Sequence, residues 1–156
     1  MKKLSWNDVE KIADELVEKI KASGFKPDYI VGITTGGLIP LYFLAKKLDI
    51  DNILTISASS YEKDKQKELK ITYLPQIDLR DKSLLLVDEI TETGASLKGV
   101  FDAVVGKYQP RELKTATLGV NKDKCKFYPD FYVVIEQGEW VVFPWEKDDF
   151  PEYSFE

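Results

Sequence analysis

One stretch of the sequence decides the fold: Leu84-Leu85-Leu86-Val87-Asp88-Glu89-Ile90-Thr91-Glu92-Thr93-Gly94-Ala95-Ser96. Its four leading apolar residues are typical of a strand that is buried on both faces, as in a parallel sheet. Two acids follow, and then a loop of small and hydroxylated residues. Paired carboxylates can accept hydrogen bonds from vicinal hydroxyls, and such a loop can turn its backbone N–H groups toward one anion. The stretch therefore indicates a sugar-phosphate site, although an ordinary strand-to-helix turn often has the same composition.

Helical spacing begins directly after this loop. Apolar residues recur at intervals of three and four in the next segment, which predicts a helix over residues 96–108. The positive amino end of that helix would face the same anion as the loop.

The rest of the chain alternates between strands and helices. One helix is expected to begin after Ser5, with Asp8 completing a capping box, and to end near Gly24. A second is expected over 38–48, with Pro40 in its first turn. Strands are predicted at 27–33, 53–57, 71–74, 82–87, 114–120 and 131–135. This order predicts an α/β fold with a mostly parallel central sheet and a ligand at the carboxyl ends of its strands.

Composition excludes several classes of function. The 156 residues, 44% apolar, suit a single domain over 1–156. A net charge of −5 argues against non-specific nucleic-acid binding. With no histidine, the chain has no Ser-His-Asp triad, and a metal would be held by oxygen, as magnesium or calcium is. One cysteine, no leader-like start and no apolar run of ~20 residues predict a cytoplasmic protein without a membrane partner. Residues 59–70 are nearly all polar, which predicts a mobile surface segment.

The opening stretch resembles the ribose-phosphate-binding signature of the type I phosphoribosyltransferases. That signature has two acids, two variable positions, a third acid, Thr-Gly and a closing Thr or Ser. This sequence has Glu92 where purine enzymes usually have Asp. The resemblance implies the type I fold, with a small hood from the terminal parts of the chain. It also implies that the ribose and its phosphate are bound by Asp88, Glu89, Thr91, Glu92, Thr93, Gly94, Ala95 and Ser96.

Three further segments are similar to those of bacterial xanthine-guanine phosphoribosyltransferases. The first matches the pyrophosphate loop, with Thr35 at a position that is commonly basic, and comprises Thr34, Thr35, Gly36 and Gly37. The second matches a flexible catalytic loop, in which Lys67 closes over the pyrophosphate. The third is the hood at 136–156, which contains Trp140 and Val141. The resemblance implies that purine is bound by these two residues together with Ile90 and with Lys122, which matches the family's lysine that donates to O6. Mg2+ is implied as the cofactor, near Asp88, Glu89 and Glu146.

The resemblance implies transfer of ribose 5-phosphate from phosphoribosyl pyrophosphate to N9 of a 6-oxopurine, with Glu92 and Lys67 as catalytic residues. It also implies a homodimer or homotetramer. Two alternatives stay open: a non-catalytic regulator that binds phosphoribosyl pyrophosphate or a nucleotide, and an adenine phosphoribosyltransferase.

Overall fold

The computed structural model describes residues 1–151. The last five residues of the predicted hood and tail, 152–156, lie outside this range. The helices are α1 (Trp6–Ser23), α2 (Leu38–Leu48), α3 (Ala95–Tyr108) and a 3-10 helix (Pro144–Asp149). The strands are β1 (Lys2–Lys3), β2 (Tyr29–Thr34), β3 (Ile53–Lys63), β4 (Gln66–Tyr73), β5 (Ser83–Thr91), β6 (Glu112–Asn121), β7 (Val134–Glu136) and β8 (Val141–Val142).

A six-stranded sheet with the order β4-β3-β2-β5-β6-β7 forms the centre of the molecule. All neighbouring strands are parallel except the antiparallel pair of β3 and β4. In β5, Leu85 and Val87 pack with α1 and α2, whereas Leu84 and Leu86 pack with α3 on the opposite face. The predicted α/β fold, with a mostly parallel sheet between helices, is therefore confirmed.

The helix boundaries agree with the sequence-based prediction. Ser5 caps α1, and the reciprocal bonds with Asp8 form a capping box. The helix ends at Gly24, whose φ of 80° suits the residue without a Cβ. Helix α2 spans 38–48 as predicted. These ends are set by local chemistry, which is why the sequence alone locates them.

Strand β5 is longer than predicted. The sequence places its end at Val87, but the strand continues through Thr91. Asp88 lies opposite Thr117 of β6, and Ile90 lies opposite Gly119. Strand β6 continues to pair with β5 after the apolar residues 84–87. The two acids therefore lie within β5 and not after it.

Residues 59–70, for which the sequence predicts a mobile surface segment, lie at the surface and form regular structure. Strands β3 and β4 pair from Ser59↔Lys70 to Lys63↔Gln66, with Asp64 and Lys65 at the turn. Residues 71–73 of the strand predicted at 71–74 form the end of β4, and residue 74 lies beyond it. The hairpin packs on α3, where Leu69 lies against Gly99: a Cβ built on Gly99 would lie only 2.5 Å from Cδ2 of Leu69. Most of its side chains are exposed, so the polar sequence gives no sign of the strands. The hairpin is defined by pairing of the two backbones.

The two ends of the chain meet in a small second sheet. Strand β1 runs parallel to β8, and the backbone N–H of Leu4 donates to the carbonyl of Val142 at 2.9 Å. Phe143 beneath it is fully buried. The hood therefore contains both terminal segments of residues 1–151. Within this range no helix combines the length and the apolar character required to cross a bilayer.

Candidate active site

Two acids at the end of β5 lie against a glycine loop that leaves β2. A Cβ built on Gly36 would lie 3.3 Å from the Cβ of Glu89 and 3.4 Å from Oδ1 of Asp88. A Cβ on Gly37 would lie 2.6 Å from the carbonyl oxygen of Ile33 and 2.7 Å from that of Val87. Only glycine allows this close backbone approach. The segment Thr34–Gly37, in which the Thr34–Thr35 peptide is cis, thus borders the paired acids.

Both acids are half-buried and partly desolvated. Burial raises the pKa of Asp88 to about 6, although the backbone N–H of Glu89 donates to its Oδ1 at 2.8 Å and acts in the opposite direction. Burial also raises the pKa of Glu89 to about 7. A 2.6 Å hydrogen bond from Nε1 of Trp145 lowers that pKa, while the charges of Glu146 and Asp88 raise it. No ion pair within residues 1–151 neutralises either acid. Such acids are suited to hydroxyl or cation ligands.

The loop between β5 and α3 is held by a distant segment of the chain. Gly94 has a φ of 88°, and a Cβ there would lie 2.5 Å from the carbonyl oxygen of Phe127. The backbone N–H of Lys126 donates to the carbonyl of Thr93 at 2.8 Å. The hydroxyl of Thr93 accepts a 3.2 Å hydrogen bond from the backbone N–H of Ala95, the first residue of α3. Contacts with 126–127 therefore fix a loop whose own residues allow many conformations.

A cavity of about 420 Å³ joins this loop to the hairpin. Ser60 of β3 contacts Ser96 through their hydroxyl oxygens at 2.8 Å, so the hairpin forms one wall. The exposed Lys67 lies on that wall. The predicted site residues that line the cavity are Lys67, Asp88, Ile90, Thr91, Glu92, Thr93, Gly94, Ala95 and Ser96.

Another group of predicted residues lies outside this cavity, around the hood. Lys122 is exposed one residue beyond β6, and its N–H donates to the carbonyl of Glu136 at 2.8 Å. Trp140 is 46% exposed, whereas Val141 is buried in β8. The ring of Trp140 is therefore accessible to solvent, whereas the backbone of Val141 pairs with Lys2 of β1 and forms a hydrogen bond with the side chain of Glu136.

Trp145 and Glu146 reinforce the hood next to the acids. The ring of Trp145 stacks on Phe143, with 4.8 Å between centroids and a 4° interplanar angle. Oε2 of Glu146 accepts from the backbone N–H of Phe143 at 2.8 Å, and burial raises the pKa of Glu146. The bond between Trp145 and Glu89 was missed by sequence reasoning, because no signal in the sequence indicates that pairing.

Asn121 and Glu136 were also missed by sequence reasoning. Asn121 is 7% exposed and donates from Nδ2 to Oε2 of Glu92 at 3.1 Å. Glu136 is 4% exposed and lies opposite Asn121 in the sheet. Burial raises its pKa, and the neighbouring charge of Glu92 raises it further. A buried acid at a strand end is visible only when the strand pairing is known.

The oxygen ligands suit a magnesium ion that is shared with a bound substrate. Within residues 1–151 no three His, Cys, Asp or Glu side chains are placed to hold a metal by themselves. Asp88 and Glu89 are adjacent desolvated carboxylates, and Glu146 acts on the pKa of Glu89. Magnesium commonly takes one or two carboxylates together with water and substrate phosphates. The donor set fits that mode of binding.

Comparisons with known proteins indicate the family of the chain. The family model described as "Phosphoribosyl transferase domain" matches residues 4–149. The chain is 27% identical over 150 residues to a xanthine-guanine phosphoribosyltransferase of Cereibacter sphaeroides, covering 92% of this chain and 85% of that protein.

Two solved structures are also similar. A purine phosphoribosyltransferase from Pyrococcus horikoshii is 34% identical with a TM-score of 0.81, covering 92% of each chain. The Helicobacter pylori xanthine-guanine-hypoxanthine phosphoribosyltransferase is 28% identical with a TM-score of 0.83, covering 97% of this chain and 99% of that one.

Proposed function

Because the chain belongs to the phosphoribosyl transferase domain family, we propose that it is a purine salvage enzyme that uses phosphoribosyl pyrophosphate. The acceptor is N9 of a 6-oxopurine: hypoxanthine, guanine or xanthine. The products are the nucleoside monophosphate and pyrophosphate. The names of the relatives, xanthine-guanine and purine phosphoribosyltransferase, support this substrate class.

One observation carries the proposal: the two desolvated acids of β5 lie directly against the glycine loop of β2. Asp88 and Glu89 provide acceptors for the ribose hydroxyls. A Cβ built on Gly36 would lie 3.3–3.5 Å from their side-chain atoms, so the glycine loop is in close contact with both acids. The loop Thr34–Gly37 then binds pyrophosphate through its backbone N–H groups. The loop from Thr91 to Ser96 binds the 5-phosphate at the start of α3. A sugar that carries phosphate at both ends requires this pair of anion sites with acids between them.

The chemistry makes modest demands on the protein. Bond breaking at the sugar carbon builds positive charge on the ribose, and the leaving pyrophosphate carries strong negative charge. The amides of Thr34–Gly37 stabilise that leaving group, and Asp88 and Glu89 orient the sugar. Asp88, Glu89 and Glu146 would hold Mg2+ directly or through water, and the ion would neutralise charge on the pyrophosphate.

We assign two residues to the reacting centre. Glu92 lines the cavity and accepts the proton that the purine imidazole ring loses as N9 attacks. Lys67, on the hairpin wall of the same cavity, contacts pyrophosphate and helps to exclude water, which would otherwise attack the same sugar carbon.

The purine is assigned to the face between β6 and the hood. Trp140 offers a partly exposed ring for stacking, and base–aromatic stacking is worth roughly 1–3 kcal/mol. Lys122 donates to O6, Val141 offers its backbone to the purine edge, and Ile90 contacts the ring. A donor to O6 favours an oxopurine over adenine, which carries an amine at that position.

The test is product formation from hypoxanthine, guanine, xanthine and adenine, each assayed with phosphoribosyl pyrophosphate and Mg2+. We expect nucleoside monophosphate from at least one 6-oxopurine and little from adenine. Adenine as the best substrate would replace the proposal with an adenine enzyme. Binding of phosphoribosyl pyrophosphate without product from any base would identify a regulator. Sedimentation velocity tests the proposed homodimer or homotetramer.

A further inference from the structure

Asn121 connects two parts of the site that sequence reasoning treated separately. Its Nδ2 donates to Oε2 of Glu92 at 3.1 Å. Its Oδ1 accepts from the backbone N–H groups of Asp123 at 3.0 Å and Lys124 at 3.2 Å. Lys122 is carried by this same turn. One side chain, 7% exposed, therefore holds both the acid and the turn that presents the lysine.

The neighbouring charges explain why this acid needs a donor. Glu136 lies opposite Asn121 across the β6–β7 ladder, and the charge of Glu92 raises its pKa. Two carboxylates so close to each other repel. Within residues 1–151, the amide of Asn121 is the hydrogen-bond partner found for the side chain of Glu92. Asn121→Asp would remove this donor and leave the Glu92 carboxylate beside the like charge of Glu136 without it.

The length of Glu92 is essential to this contact. The signature usually has Asp at this position, which is shorter by one carbon–carbon bond of about 1.5 Å. A contact of 3.1 Å lengthened by much of that amount is no longer a hydrogen bond. Glu92 and Asn121 therefore form a matched pair in this chain.

We propose that Asn121 is a positioning residue that holds the carboxylate of Glu92 against the purine and sets the turn that presents Lys122. This inference rests on the proposed function. Asn121 acts through Glu92 and the turn and does not touch the reacting atoms. We expect its effect mainly in the turnover of the bound complex, because Asn121 itself is assigned no contact with phosphoribosyl pyrophosphate.

Asn121→Asp separates the two roles of the side chain. A carboxylate still accepts from the N–H groups of Asp123 and Lys124, but it cannot donate to Glu92. We expect kcat to fall about 10- to 100-fold, the usual cost of a lost hydrogen bond to a charged group, with KM for phosphoribosyl pyrophosphate within about twofold. In a Glu92→Asp background, where the hydrogen bond is already absent, the same change should lower kcat by a clearly smaller factor than in the native background. Equal losses in both backgrounds, or no loss in the native one, would overturn the inference.

A readout independent of activity tests the contact itself. Asn121→Asp should lower Tm, and adding Glu92→Gln should restore it, because the glutamine amide can donate to the new carboxylate. Additive Tm changes would mean that the two side chains do not interact. A native protein that turns over no base would defeat the proposed function together with the kinetic role, whereas the Tm cycle would still decide the contact.

Discussion

Nε1 of Trp145 donates a 2.6 Å hydrogen bond to Oε2 of Glu89, joining residues 56 positions apart in the sequence. The bond links the hood to the central strand. It also lowers the pKa of an acid that burial raises to about 7. The hood thus affects the charge of the acid that we assign to the ribose hydroxyls.

We expect kcat/KM for phosphoribosyl pyrophosphate to rise with pH and to level off above about 7. Glu89, with a pKa of about 7, is protonated below that pH and then binds hydroxyls or a cation less well. Trp145→Phe keeps an aromatic ring against Phe143 but removes the donor, so the midpoint should move to higher pH. Trp140→Phe, which has no bond to Glu89, is the control. A midpoint unchanged by Trp145→Phe would contradict this role.

Neutral replacements of the paired acids should stabilise the fold at alkaline pH. The folded pKa values of about 6 for Asp88 and about 7 for Glu89 exceed the ordinary values of 3.8 and 4.5. The folded state therefore binds more protons between about pH 4 and 7, and the free energy of unfolding falls as pH rises through that window. Asp88→Asn and Glu89→Gln should each raise Tm by roughly 3–8 °C at pH 8 and change it little at pH 4.

Calorimetry of both variants across this pH range is the measurement. Glu15→Gln, at an exposed position of α1, is the control and should leave Tm nearly constant at both pH values. A loss of stability at pH 8 in Asp88→Asn and Glu89→Gln would show that these acids contribute favourable native contacts that outweigh their desolvation.

Gly94→Ala should weaken binding of phosphoribosyl pyrophosphate by at least ~10-fold. A Cβ at a φ of 88° is strained, and it would lie 2.5 Å from the backbone oxygen of Phe127, so the phosphate loop must move. Gly106→Ala is the matched control, because a Cβ there meets no atom within 4 Å. That substitution in α3 should raise stability by about 0.5–1 kcal/mol and leave binding unchanged. Isothermal titration measures both affinities, and similar affinities in the two variants would refute the assignment.

Glu92→Gln should lower kcat by about 100-fold while KM for phosphoribosyl pyrophosphate stays within about threefold. The amide cannot accept the purine proton, and general acid–base groups typically contribute 10²–10⁴-fold. Steady-state kinetics with the preferred base are the measurement. Native turnover in Glu92→Gln would remove this residue from catalysis.

Trp140→Ala should raise KM for the purine by roughly 10-fold or more and leave KM for phosphoribosyl pyrophosphate nearly unaltered. The ring is 46% exposed, so its removal costs little folding energy and mainly deletes the stacking surface. Trp140→Phe should restore most of the affinity because it retains an aromatic face. Equal changes in the two KM values would exclude the stacking role.

Much of the site could be predicted because its parts lie at strand ends. The four apolar residues from Leu84 identify a strand that is buried on both faces, and the acids and glycine loop follow at the edge where ligands bind. Parallel strands bring such ends together whatever the intervening sequence. Sequence periodicity could not show where β5 ends, because its last residues are paired by β6, nor that residues 59–70 form a hairpin by backbone pairing.

The sequence by itself determined the α/β fold, the capped helices and the chemistry of the two loops, because periodicity, capping and turn residues act over a few neighbouring positions. Only the tertiary structure decided which side chains meet across the sheet. The contacts of Trp145 with Glu89, Asn121 with Glu92, and Gly94 with Phe127 join distant segments. Burial then raised the pKa of the paired acids, since desolvation depends on every element that packs around them.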